Sequence, residues 1–112
     1  MRAFLTLMPV IFMMNNLAYV LADRGRELSR AKELALKAVA SEPENASYLD
    51  TLGWVLFKLA DYDKSRENLE KAALLDTREP EILDHLSQVY QKLGNPEKAQ
   101  ETMAKMKKLQ KK

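Results

Sequence analysis

Apolar residues recur along this chain at spacings of three and four, in six runs of roughly 14 residues divided by Gly, Pro and Asn. Such spacing places side chains on one face of a helix, and no run alternates with period two, so the pattern predicts helices and no strands. The first run, from Pro9 to Asp23, carries Leu17, Val20 and Leu21 on one face, with Gly25 just beyond its end. The second runs from Leu28 to Ser41 on Leu28, Ala31, Ala35 and Ala38, widened by Leu34 and Val39, and Pro43 stops it. Asn45 is the expected N-cap of a third helix, Ala46–Ala60, and Asp61 that of a fourth, Tyr62–Asp76. Pro80 suits the first turn of a fifth helix, Pro80–Leu93, with Glu81 at the positive end of its dipole. Gly94 breaks the chain, Asn95 caps and Pro96 opens a sixth helix reaching Gln110. The short turns favour antiparallel packing of successive helices.

The pattern also repeats. Leu49, Leu52, Leu59, Ser65, Leu69 and Ala72 return 34 residues later as Leu83, Leu86, Leu93, Ala99, Met103 and Met106. Upstream, Leu17 and Gly25 answer Leu52 and Ala60 at 35 residues, and Ala31, Ala35 and Ala38 answer Ser65, Leu69 and Ala72 at 34. A fixed period of this length marks stacked units that bury their apolar faces against one another. Stacks of this kind usually serve as docking surfaces.

Helix pairs with this period resemble tetratricopeptide repeats. The match is carried in the middle unit by Leu49, Leu52, Gly53, Leu56, Tyr62, Ser65, Leu69 and Ala72. In the last unit Leu83, Leu86, Tyr90, Gly94, Ala99 and Met103 carry it, and in the first Leu17, Ala18, Gly25, Ala31, Ala38 and Pro43. The resemblance implies an all-α, α-α superhelix of three antiparallel helix hairpins, with repeats near residues 9–43, 45–78 and 79–112 making one domain from residue 9 to residue 112. Residues 1–8 form an apolar N-terminal segment, and Ala3–Pro9 resembles the end of an upstream second helix, as in the C-terminal part of a longer bacterial-type array. Departures from the family pattern lead to three expectations. Ala35, where Leu69 stands in the next unit, should thin the first hairpin's packing; Ser87, in place of Gly53, should loosen the last hairpin; and Ala60 takes a turn glycine's place.

In that family the first helices of the hairpins line a concave groove. The resemblance therefore implies a partner-binding surface of Asn15, Tyr19, Asp50, Trp54, Phe57, Lys58, Asp84, Gln88 and Gln91, with Tyr19, Trp54 and Gln88 in a row. An aromatic floor flanked by Asp50 and Asp84 suits a peptide with apolar and basic side chains. The family's carboxylate-binding clamp is not expected, because its cation places hold Asn15, Glu81 and His85.

Composition narrows the chemistry. The 112 residues carry a net charge of +2 and no cysteine, which excludes disulfides and thiolate sites. His85 is the sole histidine, and its neighbour Asp84 faces away from it on a helix, so no catalytic residue, metal site or cofactor is expected. Five lysines among residues 105–112 lack interleaved aromatics and are read as solvating a helix end rather than binding nucleic acid. Residues 3–22 hold no charge, and three readings of them stay open: a structural repeat helix, a signal segment ending in Val20, Leu21 and Ala22, or a membrane tether. The first favours a cytoplasmic protein, the others a periplasmic or membrane-associated one. As a structural end, Phe4, Leu5, Leu7 and Phe12 would invite a partner or a second copy, giving a homo-oligomer. Interaction with a protein or peptide is the leading functional expectation.

Overall fold

A computed structural model describes residues 2–111, with side chains from Met8 onward. Its six helices are α1 (Arg2–Asp23), α2 (Leu28–Ser41), α3 (Ala46–Lys58), α4 (Tyr62–Leu75), α5 (Pro80–Lys92) and α6 (Pro96–Gln110). The largest departure from expectation is at the start. Pro9 lies inside α1 rather than opening it, where its ring removes one i→i−4 hydrogen bond. The expected exposed end at Phe4, Leu5 and Leu7 lies outside the described side chains.

Side-chain caps fix the starts of α3, α5 and α6. Asn45 accepts from the Tyr48 N–H at 3.0 Å, and Asn95 from the Lys98 N–H at 3.2 Å. Asp61 makes no such bond. Glu79, not anticipated as a cap, accepts from the Glu81 N–H at 3.3 Å and so starts α5 beside Pro80.

Helices pair as α1–α2, α3–α4 and α5–α6, and each second helix packs on the next first helix. The first helices α1, α3 and α5 also touch side by side. The first hairpin closes on Ala18, Ala22, Ala31 and Ala35, all at 0% exposure, and continues into Leu52, Val55 and Leu56 of α3. Ala35 is thus sealed by close approach of small residues, and the expected thinning leaves it no exposure. Leu69, Leu86, Val89 and Ala99 form the next layer, and Leu49, Ala72 and Ile82 bridge the second and third units.

Between Gly53 and Ser87 a hydroxyl changes helix. In the middle hairpin Ser65 Oγ of α4 donates to the Gly53 carbonyl at 2.7 Å. In the last, Ser87 Oγ of α5 donates to the Ala99 carbonyl at 3.1 Å. The larger residue on one helix faces the smaller on the other in both cases, so Ser87 stays 1% exposed and does not open the hairpin.

Each hairpin turn needs a left-handed residue, supplied by Gly25 (φ 65°), Ala60 (φ 64°) and Gly94 (φ 75°). Of these three, Ala60 alone carries a Cβ that opposes the geometry, at a cost of about 1–2 kcal/mol, partly offset by the chain entropy that glycine loses; Glu27, just before α2, is also left-handed (φ 45°). Ala60→Gly is expected to raise unfolding free energy by up to about 1 kcal/mol, read from urea melts. A loss of stability would show that the alanine carries an unrecognised contact.

Candidate docking face

Where α1, α3 and α5 lie side by side, the long polar and aromatic side chains of the first helices meet. His85 of α5 is the centre. Its Nδ1 lies 2.8 Å from Asp50 Oδ1 of α3, and its ring stacks on Trp54 at a centroid distance of 4.0 Å and interplanar angle of 18°. Tyr19 of α1 approaches the same imidazole at 6.1 Å, and its hydroxyl donates to Glu81. Because the ionised carboxylate only accepts, the shared proton belongs on Nδ1.

Trp54 is enclosed on every side. Phe57 stacks at 4.9 Å, Lys58 Nζ sits 4.8 Å from the ring centroid, and the indole N–H points to Asp23 Oδ1 at 3.4 Å. The residue is 5% exposed, which corrects the expectation that Trp54 faces an open groove. The cause is His85, which reaches across from α5 one turn before Gln88 and occupies the space a ligand ring would need. Asn15 and Asp50 are also buried, at 4% and 7% exposure. Of the remaining expected groove residues, Tyr19, Phe57, Lys58, Asp84 and Gln88 are half-buried and Gln91 is exposed. Gln88 Nε2 donates to Asp84 Oδ2 at 3.3 Å, which stiffens that part of the face.

Burial raises the Asp50 carboxyl above the ordinary carboxylate range, and the hydrogen bond and charge of His85 pull it back in part. Tyr19 is likewise raised, first by burial and then by its bond to Glu81. Asp50, Glu81 and His85 bring ligand atoms within 4.8 Å of one another, a grouping that the isolated histidine in the sequence did not suggest. The bond between Asp50 and Nδ1 makes this a hydrogen-bonded pair in the present geometry. The pairing is invisible among the sequence neighbours of His85 because it forms between two helices. Its signal was the separation of 35 residues, one more than the repeat, which sets the two on facing sides of successive first helices.

Two hollows flank this cluster. A pocket of about 330 Å³ opens between α1, α3 and α5 beside Tyr19 and Glu81. A cleft of about 680 Å³ lies on the opposite side, between α4 and α6, floored by Leu83, Leu86 and Tyr90 of α5. Among the described residues, no helix is long and apolar enough to cross a membrane.

Comparison with known proteins agrees with this architecture. A tetratricopeptide repeat family model matches residues 46–78 and 80–112, more than half of the chain. A TPR repeat-containing protein of Pseudomonas aeruginosa is 41% identical over 54 residues, covering 46% of this chain and 9% of that protein's length. The chain thus spans about a tenth of that relative. Among solved structures, the translocator chaperone SycD of Yersinia enterocolitica superposes with a TM-score of 0.80 at 17% identity, over 90% of this chain and 76% of that one. The second TPR of Spaghetti, bound to the HSP90 peptide SRMEEVD, gives 0.79 at 17% identity, over 88% and 91%. PcrH, in complex with the chaperone binding region of PopB, gives 0.80 at 19% identity, over 91% and 82%. The 34-residue period, the three stacked hairpins and the family match together show that this chain belongs to the tetratricopeptide repeat family.

Proposed function

We propose that the chain is a non-catalytic interaction scaffold that docks a segment of a partner protein on the face made by α1, α3 and α5. The observation carrying this reading is the set of half-buried polar and aromatic side chains held there, Tyr19, Phe57, Lys58, Asp84 and Gln88, over a rigid stacked floor of Trp54 and His85. Preorganised side chains of this kind lose little entropy on contact, which favours binding. The solved relatives that hold the HSP90 peptide and the PopB region lend the fold-level analogy. Catalysis has little footing, since His85, the histidine that Asp50 holds, has a side chain only 4% exposed and stacked on Trp54.

Peptides selected from a random display library against the immobilised chain provide the test. Gln88→Arg and Lys58→Glu are expected to weaken selected peptides about tenfold or more, while Glu67→Lys on exposed α4 leaves them unchanged. Peptides that respond instead to substitutions lining the α4–α6 cleft would defeat the reading.

A second reading rests on α1. Val10, Phe12, Met13, Leu17 and Val20 are 42–66% exposed. At the 35-residue offset, Met13, Leu17 and Val20 correspond to Tyr48, Leu52 and Val55, all buried in the stack. We infer a face built to take another second helix, supplied by a copy of this chain. Light scattering is expected to give a dimer mass that falls to the monomer in Leu17→Asp; a monomer at all concentrations removes this reading.

A further inference from the structure

The pocket between α1, α3 and α5 has no basic residue in its lining, which is dominated by hydrogen-bond acceptors. Asn15 supplies the most informative of them. Its Nδ2 faces Asn16 Oδ1 at 3.5 Å, and its Oδ1 is buried without a hydrogen-bond partner. A buried acceptor left unpaired costs about 1–3 kcal/mol, so a donor from outside would gain by meeting it. Asp50 lines the same pocket with a buried carboxylate, one oxygen of which is engaged by His85. Glu81, with a half-exposed side chain, stands at the mouth, one of its oxygens accepting from the Tyr19 hydroxyl. Ser47 and Thr51 complete the polar wall.

The hollow of about 330 Å³ is some ten times the volume of one water molecule, about 30 Å³, so it is far too large for a bare metal ion. Two carboxylates, one orphaned carbonyl oxygen and an aromatic edge instead match a flat, multi-donor cation. We propose that this pocket receives an arginine side chain of the docked partner, its guanidinium donating to Asn15 Oδ1, Asp50 and Glu81 and lying along Tyr19. The guanidinium suits the site better than an ammonium, because its donors are spread in a fixed plane that also stacks on aromatic rings. The proposal rests on the docking face described above and names the residue type that the face selects.

N-acetyl-arginine amide and its neutral isostere N-acetyl-citrulline amide, titrated into ¹⁵N-labelled full chain, separate the outcomes. Arginine amide is expected to shift the amides of Asn15–Tyr19, Ser47–Thr51 and Glu81, with citrulline amide about tenfold weaker or worse. Glu81→Gln, at a half-exposed position, should lower arginine affinity several-fold while leaving the thermal melt in place; Asn15→Ala should do the same if it folds. Equal binding of the two amides, or shifts confined to other parts of the chain, would each overturn the assignment. If display-selected peptides still bind α1, α3 and α5 when arginine amide does not, only this inference falls; if neither binds, the docking face falls with it.

Discussion

His85→Ala is expected to cost about 3–5 kcal/mol of unfolding free energy at about pH 7, because it leaves the Asp50 carboxylate buried without its partner. Loss of the imidazole stacked on Trp54 at 4.0 Å adds to this by uncovering the indole. Adding Asp50→Asn to His85→Ala removes the stranded charge and is expected to return part of the loss. The two variants also separate with pH. Burial is the main influence raising Asp50, and His85 is the influence that lowers it. Without His85 the folded chain therefore holds the Asp50 proton more tightly still. A folded-state value raised in this way gives stability that is present below the unfolded value, near 4, and is lost as pH rises through the folded value. The His85→Ala chain should thus fall away from the His85→Ala/Asp50→Asn chain as pH climbs from about 4 to about 7. Urea melts at four pH values measure the gap. Parallel curves would mean that Asp50 is solvated in the folded chain.

How much of this was legible beforehand follows from what repeats and what does not. Helix ends could be read because Asn45, Asn95, Pro80, Gly25 and Gly94 act locally, through caps and backbone preferences that need no neighbour. Ala60 was legible through the register, which sets it where the other units have glycine. Which residues line each first helix also followed from the period. The depth of each side chain did not. Asn15, Asp50 and Trp54 sit on the expected face, yet all three are buried, Asp50 and Trp54 beneath His85 of α5, and helical spacing carries no information on how far a side chain reaches from the next helix. Pro9 bounds the expected first run, yet apolar residues lie on both sides of it and the helix continues through as α1.

Gly53 faces Leu69 with no room for a side chain, and a reversal of sign is expected there. A Cβ built on Gly53 would stand 2.5 Å from Leu69 Cγ and 2.9 Å from its Cδ2, so Gly53→Ala forces the α3–α4 pair apart. Alanine gains about 1 kcal/mol in helix propensity, but overpacking a filled core costs about 1–3 kcal/mol, and the branch carbon of a fully buried leucine cannot swing aside. Gly53→Ala alone should therefore destabilise the chain by about 1 kcal/mol or more. Leu69→Ala, at a residue with 0% exposure, should cost about 3 kcal/mol through lost burial and the cavity left behind. In that background the obstacle to a Cβ at position 53 has gone, and the new methyl fills part of the space. Gly53→Ala is then expected to stabilise by about 1 kcal/mol, giving a coupling of about 2–3 kcal/mol between the sites. Urea unfolding of the four chains closes the cycle. Effects that add to within about 0.5 kcal/mol would mean that the helices separate freely at this contact, and the glycine would then owe its place to something other than the leucine it faces.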